Sequence, residues 1–444
     1  MKDLTKGNIY KTFLLFAIPI VVSSLLSQAY STIDTVMAGK LLGDSALAAT
    51  GALAPFNLFV NSTFWGYGTG VGIYVSHLFG ARDYQKMKQV VTNNARIVSA
   101  LLLVISALSL IFRQDLYRLL NVDPQIIPEC DRYFIVITLG KVFLLYVINC
   151  GYVFHAIGDS AFPFYISLLT SVLNIAMSAA CVLLLRMGVE GLAVGTVASA
   201  VICTVIYRAK LSAIFRKMGA GGKPAPLELQ SVRETCKYAL TSMAQQSIMY
   251  FATFFLSPMI NNIGSAASAS YTVTSRIYDI NACIYISSSK TVGSYTAQCY
   301  GAKKYHLLKK GVRVGGLQAM VLVLPVIAAC ALLAEPVTRL FYKAEADPVS
   351  VQYTVEFLRY CLPFLFINVY ANLYHNFFRG IGRMRALLIT TIAGSVIRII
   401  VSALLIEPFG IYGYYAGWVM SWVLDAAIGV GIYFFGSWRK VLKA

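Results

Sequence analysis

Charge is the first shortage. Lys, Arg, Asp and Glu together make up 13% of the 444 residues, whereas hydrophobic residues make up 58%. A water-soluble chain of this length could not cover its surface with so few charges, which excludes a set of two or three soluble domains. Acids are scarcer than bases, 19 against 37, giving a formal net charge of +18. An excess of that sign can mark a nucleic-acid binder, but in so apolar a chain it is first tested as membrane orientation. Paired cysteines are missing too. Cys150, Cys181, Cys203, Cys283, Cys330 and Cys361 lie in apolar runs, and no two of the nine cysteines form a CxxC pair. They read as small hydrophobes, not as a disulfide framework or a metal site. No P-loop, GxSxG, HExxH or paired-carboxylate motif stands on a segment between apolar runs, which disfavours ATP-driven transport and hydrolysis. With no acid–base or metal cluster, the chain is not expected to be an enzyme. No A-x-A cleavage site follows the first apolar run, 12–37, so that run reads as a retained helix.

Long apolar runs are what the chain does have. A bilayer core about 30 Å thick needs roughly 20 apolar residues of helix. Twelve runs qualify, near 12–36, 50–76, 93–112, 133–155, 163–185 and 191–211, then 237–260, 266–298, 313–334, 356–378, 386–406 and 412–436. None alternates as a barrel strand would, so the fold class is an all-α integral membrane protein with twelve transmembrane helices. With an even number of spans both termini share one side. That side holds most of the bases, among them Lys6, Lys11, Arg82, Lys86, Lys88 and Arg96, then Lys303, Lys304, Lys309, Lys310, Arg383 and Arg385. The bias predicts a multi-pass protein of a plasma membrane of the bacterial inner-membrane type, with both termini cytoplasmic. It accounts for most of the net charge, with no nucleic-acid partner.

The chain is also written twice. GARDYQKMK from Gly80 is matched by GAKKYHLLK from Gly301, an offset of 221 that also pairs Gly43 with Gly264. At an offset of 224, Asp123-Pro124 pairs with Asp347-Pro348, Gly158 with Gly382, and SVLNI with SVIRI. GVEGLAVG pairs with GIYGYYAG at 222. Similar hydrophobic helices alone would not keep glycines and loop residues in register across six spans. The predicted organisation is an N-terminal six-helix lobe over 1–211, a cytoplasmic linker over 212–235 containing GAGGKPAP, and a C-terminal six-helix lobe over 236–444. Six spans per repeat makes it parallel, with a pseudo-twofold axis along the membrane normal. Two lobes around a cleft suit an alternating-access carrier.

An acid inside an apolar span asks for a reason. Asp34 shares one face of span 1 with Ser23, Ser27 and Ser31, at steps of four, four and three. That carboxyl is the residue expected to take up and release a proton. Pro19 lacks the hydrogen bond that would stiffen the helix there.

The loop after span 2 is not the G-x-x-x-D-R-x-G-R-R-K pattern of the major facilitator type. IDTVMAGKLLGDSALAATG from Ile33, FFRGIG from Phe377 and the repeated GA-x-x-Y loops together resemble the multidrug and toxic compound extrusion (MATE) family over essentially the whole chain. The resemblance implies export of small organic compounds in exchange for protons or sodium. It further implies a cation site formed by a span 1 Asp, a span 5 Asn with an Asp one turn later, and a span 6 Thr. The matching residues are Asp34, Asn174, Ser178 and Thr196. Ser178 departs from the pattern, and one carboxylate with neutral oxygens favours protons over sodium. Pro19 matches a proline at which span 1 bends in some relatives.

The second lobe does not duplicate that site. The partners of Asp34 and Asn174 are Phe255 and Arg398, span 7 has Gln245 and Gln246 without a Glu, and Asn368 stands near where some relatives place an Asp. Arg276, Asp279, Cys283, Ser287 and Lys290 share a face of span 8, with Arg276 and Asp279 expected to pair. Asn368, Asn372, His375 and Arg379 share a face of span 10. Lys141, Lys290 and Arg398 could hold anionic substrate groups or neutralise Asp279 and Asp425. The candidate substrate cavity comprises Tyr30, Lys141, Tyr250, Arg276, Asp279, Lys290, Asn368, Asn372 and Arg398, with Phe64 and Tyr278 as further stacking surfaces. The expectation is a secondary antiporter, monomeric among membrane lipids, with H+ or Na+ as coupling ion and no other cofactor. The other reading is a flippase for a lipid-linked or amphipathic anionic substrate, which the basic residues would suit.

Overall fold

The computed structural model describes residues 3–120, 122–222, 226, 228–342 and 346–439. Both extreme termini, the KPA of the GAGGKPAP tether and the side chain of Ser31 lie outside the described residues. Among the described residues there is no strand. The first repeat consists of α1 (Ile9–Met37), α2 (Asp44–Gly80), α3 (Tyr84–Ile111), α4 (Ile127–Ala156), α5 (Ala161–Ala179) and α6 (Val189–Lys217). The second consists of α7 (Leu229–Ile263), α8 (Ser265–Gly301), α9 (Leu308–Leu332), α10 (Leu365–Gly380), α11 (Met384–Phe409) and α12 (Ile411–Phe435). Helix α10 is entered through a helix at Pro348–Glu356, a π turn at Phe357–Cys361 and a 3-10 turn at Leu362–Phe364. Pro363 in that last turn has no N–H to continue an α-helical ladder.

The protein is an all-α membrane protein of twelve transmembrane helices. Eight stretches, those of α1, α3, α4, α5, α6, α9, α11 and α12, are long and apolar enough to cross a membrane by composition alone. The other four are diluted by polar residues turned inward. On α8, for example, Ser270, Thr274, Asn281, Ser287, Ser289 and Thr296 are all buried. Their polar groups bond within the helix, as in Ser287 Oγ to Cys283 O at 2.6 Å, and to neighbouring helices, as in Ser270 Oγ with Tyr415 OH at 2.9 Å. Leucines and valines such as Leu103, Val205, Val321 and Leu404 stay exposed on the outside, as lipid contact allows.

The duplication is physical. Arg82 and Lys303, paired at offset 221, both take the left-handed conformation, with φ of 60° and 56°. Gly158 and Gly382 do so at 76° and 73°. Asp123 and Asp347 each turn a carboxylate back onto the amide two residues on, at 2.9 Å and 3.0 Å. Helix packing repeats as well. The contacts of α2 with α4, α4 with α6 and α5 with α6 recur as α8 with α10, α10 with α12 and α11 with α12. At the α5–α6 crossing and its duplicate, matching glycines let the backbones approach. A Cβ on Gly195 would lie 2.3 Å from Ser178 Oγ, and one on Gly417 would lie 2.1 Å from Ser402 Oγ.

Contacts divide the chain into two compact units. One runs from Val22 to Met243; the other joins Asp3–Val21 to the chain from Ala244 onward. These limits fall elsewhere than the loop-based division at 211 and 236, because α1 and α7 each change unit along their length. Phe13, Phe16 and Ile20 cluster with Val292, Tyr295, Val312 and Leu373 of the second unit. Ala239, Tyr238 and Met243 of α7 join the core of the first unit, where Gly70 lets the backbones touch. In the same unit Glu234 is held by Lys86 Nζ at 2.9 Å and by the Tyr74 hydroxyl. Those hydrogen bonds, Tyr74 first, hold the Glu234 carboxyl below its ordinary value. The glycines that begin the tether are strapped to α3, Lys88 Nζ reaching Gly221 O and Gly222 O at 3.1 Å.

Candidate functional site

In the first unit two helices cross at a polar spot in an apolar surrounding. Gly195 brings the α6 backbone onto α5 at Ser178. That crossing carries Asn174, Ser178 and Thr196. Asn174 and Ser178 are fully buried and Thr196 half-buried. Thr196 donates its hydroxyl hydrogen to Leu192 O at 2.9 Å, so its oxygen is free to accept Asn174 Nδ2 at 2.8 Å. Ser178 donates to the same Leu192 carbonyl at 3.3 Å. Every hydrogen of this cluster is thereby directed away from Asn174 Oδ1, which is buried and accepts nothing.

Asp34 shows the same deficit. Its Oδ1 is buried without a hydrogen-bond partner. Met37 and Ala38, a turn further along α1, pack with Ile175, Ala179, Val182 and Leu192, neighbours of the three polar residues. Both chain segments loosen here: α1 passes into a π turn at Ala38–Leu42 and α5 into another at Ala180–Leu184. Such π turns interrupt the regular ladder and often accompany functional sites. Tyr30 and Tyr133 lie close enough to Asp34 for its charge to act on them. The arrangement leaves two buried acceptor oxygens, Asp34 Oδ1 and Asn174 Oδ1, without a hydrogen-bond donor, which suits a proton or a small cation.

Pro19 lies within α1, which runs unbroken from Ile9 to Met37. The change of unit falls between Val21 and Val22, just beyond it.

Of the candidate cavity residues, Lys141 is buried on α4. Its Nζ donates to Asn57 Oδ1 at 2.6 Å and lies 5.7 Å from the Phe56 ring centre. Its partner is an amide, not an acid. In the second unit Asn368 donates to the hydroxyls of Tyr278 and Tyr285 at 3.1 and 2.8 Å, and Asn372 donates back to Asn368 Oδ1 at 3.2 Å. Tyr250 and Lys290 are half-buried. Arg276 is exposed. It lies near enough to Asp279 to act on it electrostatically, but the expected ion pair does not form.

Arg398 occupies the position equivalent to Asn174. It lies over the Trp418 ring at 5.0 Å and the Tyr414 ring at 5.5 Å, and donates to Tyr414 OH at 2.6 Å and Thr253 Oγ1 at 3.3 Å. Trp418 in turn stands where the first repeat has Thr196. One crossing thus carries an amide–hydroxyl pair, its duplicate a cation over aromatic rings. Asp425 is neutralised by none of the three bases. Its partner is buried His375, with Nε2 to Oδ1 at 2.8 Å. Sequence had placed His375 on the polar face of α10 and Asp425 inside α12, without joining them.

The family model MatE matches residues 19–180 and 240–404, most of both repeats. The multidrug export protein MepA of Staphylococcus aureus (strain NCTC 8325 / PS 47) is 23% identical over 92% of this chain and 90% of its own. The probable multidrug resistance protein YoeA of Bacillus subtilis (strain 168) is 24% identical over 70% of this chain and 69% of its own. Among solved structures, a crystal structure of MATE in complex with MaL6 superposes with a TM-score of 0.90 at 22% identity, covering 100% of this chain and 99% of that one. A MOP superfamily transporter from Pyrococcus furiosus Vc1, whose binding pocket has reverse polarity, superposes at 0.89 with 22% identity, over 100% and 98%. With two matched repeats, an all-helical membrane fold and a family model spanning both halves, the chain belongs to the MatE family of multidrug efflux transporters.

Proposed function

We propose that this transporter is a secondary antiporter of a plasma membrane, exporting small organic compounds by alternating access against the entry of protons. The observation that carries the reading is the pair of buried oxygens without a donor, Asp34 Oδ1 on α1 and Asn174 Oδ1 on α5, the latter at the crossing that Gly195 makes with α6. A carboxyl so placed binds a proton without competition from a neighbouring base. Entry of one charge releases about 2.3 kcal/mol per 100 mV, and a tenfold gradient of a neutral compound costs about 1.4 kcal/mol. One proton therefore sustains more than a tenfold gradient. Protonation of Asp34 removes a charge from the last turns of α1, while Pro19 leaves that helix a soft point near its change of unit. The names of the relatives support organic compounds as cargo.

The test is Asp34→Asn in proteoliposomes. Ethidium-driven proton release should vanish while the protein remains monodisperse; undiminished release in that variant removes Asp34 from the mechanism. A flippase for an anionic amphiphile is favoured by a different observation, namely that Lys141 and Arg398 are held by amide, hydroxyl and aromatic groups and by no carboxylate. A fluorescent-lipid translocation assay separates the two.

A further inference from the structure

The second unit contains a buried acid–base pair that the antiport reading does not use. His375 on α10 is 4% exposed. Its Nε2 lies 2.8 Å from Asp425 Oδ1 on α12 and 2.8 Å from Thr390 Oγ1 on α11. Thr390 gives its own hydrogen to Leu387 O at 3.0 Å, so towards the imidazole it can only accept. Both neighbours of Nε2 are therefore acceptors, and Nε2 must carry a hydrogen. The exchangeable proton of this ring is the one on Nδ1.

The surroundings make that proton consequential. With a neutral ring the dyad carries the single negative charge of Asp425; with an imidazolium it is a closed ion pair. The facing groups are few: α12 contributes Asp425, α11 contributes Thr390, and neither α8 nor α9, which also pack on α10, sets an ion pair on the imidazole. Arg379, one turn along α10, is engaged with Asn376 Oδ1 at 3.1 Å and Gln245 Oε1 at 2.8 Å. The contacts around the dyad are close. A Cβ on Gly394 of α11 would meet Asp425 Cβ at 3.2 Å, and one on Gly429 of α12 would meet Tyr374 Cβ at 3.3 Å. A change in the charge of the pair is thus felt by three helices at once. The same face of α10 carries the amides of Asn368 and Asn372, candidates for the substrate cavity.

We propose that His375 and Asp425 form a second proton-carrying site, in the second repeat, whose occupancy is linked to that of the exported compound. Protonation adds H+ to His375 Nδ1 and breaks no bond. The proposal rests on the antiport reading for its role in transport, but its test does not.

The chain has four histidines, His77, His155, His306 and His375, few enough to resolve by spectroscopy. Full-length protein with 15N-labelled histidine in nanodiscs is titrated from about pH 5.5 to 8.5, with and without ethidium, and the His375 signals are identified by their loss in His375→Gln. The expected result is a ring that titrates in this window and whose proton affinity changes about fivefold or more on adding ethidium. Asp425→Asn should leave the signals visible and remove that response, which covers the case in which His375→Gln fails to fold. A ring that does not titrate, or titrates identically with and without ethidium, overturns the dyad whatever the proteoliposomes do. A ring that responds while Asp34→Asn leaves proton release intact keeps the dyad and discards the Asp34 reading.

Discussion

Replacing Gly195 by Ala tests whether the α5–α6 crossing is what assembles the proposed proton site. The added methyl would lie 2.3 Å from Ser178 Oγ, 2.4 Å from its backbone N and 2.6 Å from its Cα. Comfortable contacts between such atoms are about 3.5–4.0 Å, and two of the three are backbone atoms that no rotamer change can move. The helices must therefore part by on the order of 1 Å, a degree of overpacking that costs about 1–3 kcal/mol. The same parting stretches the 2.8 Å bond from Asn174 to Thr196, adding about 1 kcal/mol. For a unit of this size each kcal/mol lowers the unfolding midpoint by about 2–4 °C. Gly417→Ala, the duplicate crossing, should behave alike, since its methyl would meet Ser402 Oγ at 2.1 Å. Gly431→Ala is the control: nothing lies within 4 Å of its added methyl, and the better helix former should be neutral or stabilising by up to about 1 kcal/mol. Thermal unfolding in detergent, followed by tryptophan fluorescence, ranks the three. Should Gly195→Ala melt with Gly431→Ala, the crossing is looser than described and the site is not held by it.

Two further changes probe other parts of the argument. Pro19→Ala restores the missing helical hydrogen bond in α1 and removes a residue that costs about 3 kcal/mol in a helix interior; dye efflux from vesicles should slow while the melting temperature rises, and unchanged efflux would deny Pro19 a part in the motion. The Glu234 carboxyl is held below its ordinary 4.5 by Tyr74 and Lys86, so its contribution is complete above that value and fades as the pH falls through the lowered one. Glu234→Gln should thus melt slightly earlier than the wild type at pH 7.5, by under about 1 kcal/mol for so solvent-screened a pair, and together with it near pH 3; equal melting at both values would dismiss the pair.

Much of this fold is legible in the residues because the duplication preserves the positions where backbone geometry is least negotiable. Gly158 and Gly382 match in sequence because both take positive φ, and Gly195 and Gly417 because both sit where no Cβ fits. The spans were legible from length, even for α8, whose buried serines and threonines lower its hydropathy. Asp34 announces itself as an acid in an apolar run. The pairing of Asn174 with Thr196 does not; it came from likeness to relatives. The dyad was out of reach, since His375 and Asp425 are 50 residues apart and a helical face says nothing about which neighbour it meets. Loops mark where helices end, not which bundle each half of a helix joins, so the division of α1 and α7 between units was hidden as well. Nor do Ala38–Leu42 or Ala180–Leu184 carry a residue that dictates a π turn.

The guanidinium at Arg398 gives the two halves unequal chemical freedom. A guanidinium stays charged across the whole physiological range, and this one is anchored by its own backbone over Trp418 and Tyr414. Where the first half leaves oxygen atoms open to the itinerant charge of the proposed antiport, the duplicate has been given a tenant that never departs. A gene that copied itself has kept the architecture of the crossing twice and its chemistry only once.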